Sequence, residues 1–332
     1  MQLSERAGDL PESCGNCVDF SRQARVFAVI VSFRPDLERL LQQLEVLLPQ
    51  VAGAVLVDNG SPRGMVDLFG SVSGLGAHVC LLGDNMGIAH AQNVGIEFAR
   101  RQCATHVLLM DQDSVPAQDM VACLLSATSR LAALGRKVAA VGPRYVDEHQ
   151  QNAQPFVRIR GLKVARCGCA ERDAIVEVDC LIASGALIPL TVLQRVGGMR
   201  EDLFIDYVDT EWSLRASRHG FQSFGVCNAS MGHALGGAPY TFMGRKVPMH
   251  SPLRHYYQVR NAIRLCCESF LPLRWRAVFA YQALVRFVFH SLFAIPRRQH
   301  LRMMTLGVAH GLANRLGRLD VEQTETANER NV

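Results

Sequence analysis

A chain of 332 residues with 49% hydrophobic and 20% charged residues can bury a substantial core, which excludes a disordered or low-complexity protein. The net charge of +5 is unevenly placed: residues 252–318 hold eleven arginines, no lysine and one acid, Glu268, a net +10 that leaves −5 for the remainder. A cationic C-terminal region on an acidic body points to an anionic surface, either lipid or nucleic acid.

Residues 1–24 are polar and mixed in charge, with no apolar stretch that could serve as a secretory signal, and read as a disordered tail. Val26–Val31 is a continuous apolar run, the pattern of a strand buried on both faces. After Ser32-Phe33-Arg34-Pro35, Asp36 can cap a helix whose Leu37, Leu40, Leu41, Leu44 and Leu48 keep helical spacing. Further strands are predicted at Ala54–Val57, His78–Leu82 and His106–Met110, each followed by a polar loop. Short strands at Val138–Val141 and Glu177–Leu181 flank an irregular stretch. The small-residue segment Ser184-Gly185-Ala186 and a further apolar run follow, and helical periodicity returns after Pro252. Strands alternating with helices predict an α/β fold with a mostly parallel, Rossmann-like sheet and ligands beyond the strand C-termini, where the polar loops lie. The eleven cysteines, odd in number and partly inside apolar runs, read as reduced thiols.

Asp111-Gln112-Asp113 follows the fourth strand and offers hard oxygen donors to Mg²⁺ or Mn²⁺, although solvated turn residues would look the same. In Asp84–Gly95, small residues let the backbone approach a ligand, or simply make the turn into a helix. Phe204-Ile205-Asp206-Tyr207-Val208-Asp209-Thr210-Glu211-Trp212 sets three acids among apolar neighbours, where burial can raise a carboxyl's proton affinity; Asp209 and Glu211 also suit the first turn of a helix. His233 follows in Ser230-Met231-Gly232-His233.

In order and spacing, Asp58-Asn59-Gly60-Ser61, the Asn85–Gly95 loop, Asp111-Gln112-Asp113-Ser114, the Asp209 cluster and His233 resemble the inverting family 2 glycosyltransferases of GT-A fold. Within that family, Asp-Gln-Asp-Ser and Phe-Ile-Asp-Tyr-Val-Asp-Thr-Glu-Trp-Ser-Leu-Arg-Ala are most similar to bacterial rhamnosyltransferases that use dTDP-L-rhamnose. The resemblance covers about residues 25–265. It implies that Ser32, Arg34 and Asp58 line the nucleotide pocket and that Asn85, Gly87, Ala89 and Asn93 shape the loop around sugar and diphosphate. Asp111 would contact the ribose, Asp113 and His233 would ligate Mg²⁺ or Mn²⁺, and Arg260 would bind the diphosphate. Asp209 becomes the catalytic base with Glu211 positioning base or acceptor, and Ser184, Gly185, Asp206 and Trp212 fall on the acceptor side. Val208 stands where many relatives carry Glu, which leaves the division of labour among the acids open.

Residues 277–295 form a nineteen-residue apolar run interrupted only by Gln282, Arg286, His290 and Ser291. The first three recur every four residues, and arginines flank both ends. The length is marginal for spanning and Arg286 is central, so the expectation is a helix lying in a membrane interface, with a core helix as the alternative. A nucleic-acid binder is disfavoured because the arginines interleave with this apolar helix and no Gly-flanked aromatic pattern appears. A nucleotidyltransferase would want a Gly-rich basic loop after the first strand, which Ser32–Pro35 lacks. The expected organisation is a tail (1–24), a GT-A catalytic domain (25–250), a basic helical region (251–318) and a polar tail (319–332). The expected protein is cytoplasmic, held peripherally at the inner membrane, and acts on a glycolipid or lipid-linked saccharide.

Overall fold

The computed structural model describes residues 24–147, 155–160, 163–233, 240–242, 245–247 and 250–320. The two expected tails lie outside it, apart from Ala24 at one junction and Leu319 and Asp320 at the other. Leu319 is buried, and its backbone N–H donates to the Tyr257 hydroxyl at 2.8 Å.

The first half alternates as expected: β1 (Val26–Ser32), α1 (Leu37–Leu47), β2 (Gly53–Asp58), the short α2 (Arg63–Val66) and α3 (Gly70–Gly74), β3 (His78–Leu81), α4 (Ile88–Arg101) and β4 (His106–Asp111). Asp36 caps α1 as its position predicts, its carboxylate accepting from the Glu38 and Arg39 backbone N–H groups. The chain continues through β5 (Ser114–Pro116), α5 (Met120–Ala133), β6 (Val138–Asp147), β7 (Phe156–Arg160), β8 (Lys163–Cys167), β9 (Ile175–Val178), β10 (Leu187–Pro189), α6 (Leu190–Val196), α7 (Val208–Arg218) and β11 (Gln222–His233). The hairpin of β12 (Tyr240–Phe242) and β13 (Arg245–Val247) precedes three helices, α8 (Pro252–Cys266), α9 (Leu273–Phe293) and α10 (Arg297–Leu312).

The main sheet has the order β3-β2-β1-β4-β10-β6-β11-β5, with β9 also paired to β11. β1, β2, β3 and β4 are mutually parallel, as the alternation predicts, and β6 is parallel to β11. β10, β5 and β9 run antiparallel, so the second half is mixed. β1 explains its own sequence: Val26, Ala28 and Ile30 enter one core with α1 and α5, while Phe27, Val29 and Val31 enter another with α4, α6 and α7.

Cys169, before β9, is disulfide-bonded to Cys227 of β11, fifty-eight residues away, which corrects the expectation that the cysteines are reduced. Burial and alternation inside apolar runs do not reveal which strand will lie beside which. Cys14 and Cys17 lie outside the described residues.

The C-terminal helices join one another through close contact and buried histidines. A Cβ on Gly307 of α10 would come within 2.7 Å of the Tyr256 carbonyl oxygen of α8, so that approach requires glycine. His255 and His300 bring their Nδ1 atoms to 2.8 Å, and His290 of α9 stacks on His255 at 3.8 Å between ring centroids. Burial pushes His255 down to about 3 and His290 to about 4, and lowers His300 as well. Because the folded-state values lie below the unfolded value, the folded protein resists protonation. Stability is therefore fully present above about pH 6.5 and declines as the pH falls from there towards 4. Melting followed between pH 7 and pH 5 should show a loss of up to about 2 kcal/mol for each of His255 and His290, and His290→Phe should flatten that dependence.

Candidate active site

The ligand edge of the sheet is a set of loops, each hydrogen-bonded to the next. After β1, the Phe33 backbone N–H donates to Gln112 Oε1 at 2.7 Å, and the Arg34 N–H donates to Ser61 Oγ at 2.8 Å. Asp58, at the end of β2, is buried, and its carboxylate accepts from Ser32 Oγ, from the Ser61 N–H and from Ser61 Oγ. That fixes the Asp58–Ser61 turn. Asn59 in turn holds the next loop, accepting from the Met86 N–H at 2.8 Å and donating to Asn85 Oδ1 at 3.2 Å. Gly87 sits at φ +90°, and its successor Ile88 donates its N–H to the Phe204 carbonyl at 2.8 Å. Ala89 is fully buried beneath this loop.

Gln112, which sequence reasoning left without a role, therefore carries the joint between the metal-motif loop and the first loop. Its position between two aspartates is the signal that pointed there. The Asp111 carbonyl accepts from Gln43 of α1 at 2.7 Å and the Asp113 carbonyl from Arg39 at 3.0 Å, which leaves the motif rigidly mounted. Antiparallel pairing sets His233 directly opposite Ser114, one residue from Asp113. The His233 side chain lies outside the described residues. Among those residues no three His, Cys, Asp or Glu side chains are grouped so as to hold a metal ion by themselves. The donor set fits a hard divalent cation held through one or two carboxylates, with substrate phosphates and water completing its shell.

Asp209 reaches the motif through one dipeptide. The Ala183 backbone N–H lies near the Asp209 carboxyl and weakly favours its charged form, the smallest of the influences on that group. Next door, Ser184 is buried, accepts from the Asp111 N–H at 3.1 Å and donates to Ser114 Oγ at 2.8 Å. Gly185 continues the link, its N–H donating to the Leu109 carbonyl at 2.7 Å. Asp209 also meets Leu109, Ala183 and Trp212 around a small apolar cavity. Burial raises its pKa above the ordinary carboxylate value, against the opposing pull of the Thr210 N–H and hydroxyl.

The turn leading into α7 is strained. Phe204, Asp206 and Tyr207 all have φ near +65°, a cost of order 1–3 kcal/mol each for residues other than glycine. Its carbonyls are held from α8: Asn261 Nδ2 donates to Leu203, Ile205 and Asp206, and Arg260 donates to Asp202 and Leu203. Asp206 pairs with Arg254 at 3.2 Å.

Four expected site residues have protein partners that change their reading. Arg260 is fully buried and committed to backbone carbonyls, including Gly317, so it lies beneath the turn and not on a diphosphate. Glu211 is buried with both oxygens on Arg215, at 2.9 and 3.0 Å, and Arg215 in turn holds the Val196 and Gly198 carbonyls. Asn93 exchanges two hydrogen bonds with Met199 and donates to Glu201. The Trp212 indole donates to Gly197 while its ring faces the cavity beside Asp209. Spacing showed what these side chains can do, and the fold shows which neighbours use them.

No protein-family model matches the chain. It is 33% identical over 252 residues to the dTDP-rhamnosyl transferase RfbF of Shigella flexneri, covering 75% of this chain and 82% of that protein. The chain belongs to the family 2 glycosyltransferases of GT-A fold. Its fold is also that of the S. aureus TarS 1-349 structure in complex with UDP-GlcNAc (14% identity, TM-score 0.52, 86% of this chain and 81% of that one). GalNAc-T7, in a structure with UDP, GalNAc and Mn²⁺, superposes with TM-score 0.54 at 11% identity over 83% of this chain; the chain spans 59% of that structure.

For this glycosyltransferase, Gly87 gives a direct test of the Asn85–Gly95 loop. A Cβ there would lie 2.7 Å from both the Phe204 ring and its carbonyl oxygen, at a φ that L-residues rarely adopt. Gly87→Ala should lower stability by about 1–3 kcal/mol and reduce turnover, read by thermal melting together with donor consumption.

Proposed function

We propose that this glycosyltransferase moves L-rhamnose from dTDP-L-rhamnose, with inversion, to a hydroxyl of a glycolipid or lipid-linked saccharide. The observation that carries the reading is the desolvated Asp209 carboxyl beside Ala183, whose neighbour Ser184 is hydrogen-bonded to both Asp111 and Ser114. A base with raised proton affinity and a hard-oxygen motif one dipeptide away suit a single displacement at a sugar carbon. The similarity to a dTDP-rhamnosyl transferase supports the donor. TarS and GalNAc-T7 were solved with UDP-GlcNAc and with UDP respectively, which supports a nucleotide-linked donor.

In this reading Asp209 takes the proton of the acceptor hydroxyl and the oxygen attacks the anomeric carbon. The bond from that carbon to the diphosphate breaks, and the electron pair leaves with the diphosphate. Ser32, Arg34, Asp58, Asn85, Gly87, Ala89 and Asp111 shape the donor side, while Ser184, Gly185, Asp206 and Trp212 face the acceptor. Asp113 and His233 would hold Mg²⁺ or Mn²⁺, which supplies charge neutralisation to the departing diphosphate. Glu211 supports the acceptor side indirectly, through Arg215.

Asp209→Asn should cut turnover about 10²- to 10⁴-fold with donor binding retained; near-normal turnover would remove the base assignment. Since turnover needs the deprotonated carboxyl, the acid limb of kcat/KM should lie above the ordinary carboxylate range, in line with the upward shift of Asp209. A panel of nucleotide sugars with Mg²⁺ or Mn²⁺ tests the donor: dTDP-rhamnose should be consumed ahead of UDP- and GDP-sugars, and a UDP-sugar in first place would replace rhamnose.

The acceptor reading rests on α9. Gln282, Arg286 and His290 face the protein, at Tyr207 and His255. The opposite face exposes Tyr281, Leu284, Val285, Val288, Leu292 and Ile295, with exposed Arg297, Arg298 and Arg302 beyond it. No helix among the described residues is long and apolar enough to cross a membrane. An apolar stripe edged with arginines suits an anionic lipid surface. The protein should sediment with vesicles containing anionic lipid, and Leu284→Glu with Val288→Glu should weaken that binding at least about tenfold; unchanged sedimentation would dismiss the surface.

A further inference from the structure

We infer that Asn261, oriented by Arg260, is a positioning residue for the catalytic turn, setting where the Asp209 carboxyl stands without touching substrate. This rests on the assignment of Asp209 as base. The turn from Leu203 to Tyr207 holds three non-glycine residues at positive φ and lies between a single 3₁₀ turn and α7, so no sheet ladder fixes it. Three of its carbonyls meet one side-chain amide: Asn261 Nδ2 lies 3.0 Å from the Leu203 oxygen, 2.8 Å from Ile205 and 3.0 Å from Asp206. Arg260 Nε donates to Asn261 Oδ1 at 2.9 Å, which decides the orientation of that amide and aims its nitrogen at the turn. The same guanidinium donates to Leu203 at 2.8 Å and lies over the rings of Tyr256 and Tyr257, while Tyr257 stacks on Phe204 at the start of the turn.

Both side chains are completely buried. A buried cation whose hydrogen bonds go to carbonyl oxygens and not to a carboxylate, and a buried amide whose nitrogen is spent on main chain, are a costly way to join two helices. The expense falls on the turn that ends at Tyr207, two residues before Asp209. A shift there moves the carboxyl relative to Ala183 and the metal motif, and displacement of about 1 Å can cost 10²-fold in rate. The same turn also receives the Ile88 N–H at Phe204, so base and donor loop share one anchor.

Asn261→Leu keeps the branched skeleton and removes the donor. The expected result is a loss of about 10- to 100-fold in kcat per folded molecule, with the donor KM within about threefold. Hydrogen exchange should become faster in residues 203–212 but not in β1 or β4. Arg260→Lys, which keeps the charge and loses the fork, should show the same pattern more weakly and serves if the first variant does not fold. Unchanged exchange in the turn, or a kcat per folded molecule equal to the parent, overturns the inference. Failure of the base assignment is read separately: Asp209→Asn would then retain turnover while the exchange effect of Asn261→Leu persisted.

Discussion

Two residues, Gln112 and Asp113, separate the last residue of β4 from the first of β5, yet three strands lie between those two in the sheet order. Two residues span no more than about 10 Å from end to end. The sheet must therefore curl until its β11–β5 edge returns towards the end of β4. That closure explains why a motif on the parallel half of the sheet lies beside a strand of the mixed half, with His233 paired opposite Ser114. Asp113 lies on this two-residue joint, where sheet geometry leaves it little freedom to turn elsewhere.

From that point the edge is organised by hydrogen bonds between loops and not by packing. Gln112 joins Phe33, Asn59 joins Met86, Phe204 receives Ile88, and Ser184 joins Asp111 to Ser114. Most of these contacts use a backbone group at a loop where no ladder partner exists, so each satisfies a donor or acceptor that would otherwise be stranded. A site mounted this way holds several loops in fixed register while leaving their outer surfaces to a ligand. The carboxyls on it divide by environment. Asp58 is spent on Ser32 and Ser61 and Glu211 on Arg215, whereas Asp209 is desolvated with only local N–H and hydroxyl donors. Proton affinity rises where charge is least compensated, which is the physical ground for proposing Asp209 as the base.

The parallel half was legible from the start because β1, β2 and β4 are buried on both faces, and a run such as Val26–Val31 admits few other fates. The gathering of the polar loops at one sheet edge was legible for the same reason: polar residues directly after such a run must fall at the strand end. β5 and β10 are three residues long and carry no periodicity to read, so the antiparallel half was not visible. The Cys169–Cys227 bond depends on strands brought together across fifty-eight residues. Arg260 shows a different limit. An arginine near a predicted diphosphate site invites an ionic role, but whether its guanidinium faces the cleft or the underside of a turn depends on how α8 rolls against the body. Asn261, its neighbour, carried no separate signal at all.

The roll of α9 is set by the same turn. A helix of a soluble domain turns its apolar stripe inward and its charges to water. In α9, Trp275, Val278 and Phe279 are buried at one end, but Gln282, Arg286 and His290 take the inward positions further along. Those polar groups find partners at Tyr207 and His255, and their inward use forces Leu284, Val285, Val288 and Leu292 outward. The polar stripe therefore does not soften an apolar helix for water. It docks the helix against the turn that leads into α7, and the exposed apolar face follows from that docking. Because Tyr207 belongs to the same turn that Asn261 holds from below, the outward face of α9 and the Asp209 carboxyl are mounted on one short stretch of backbone.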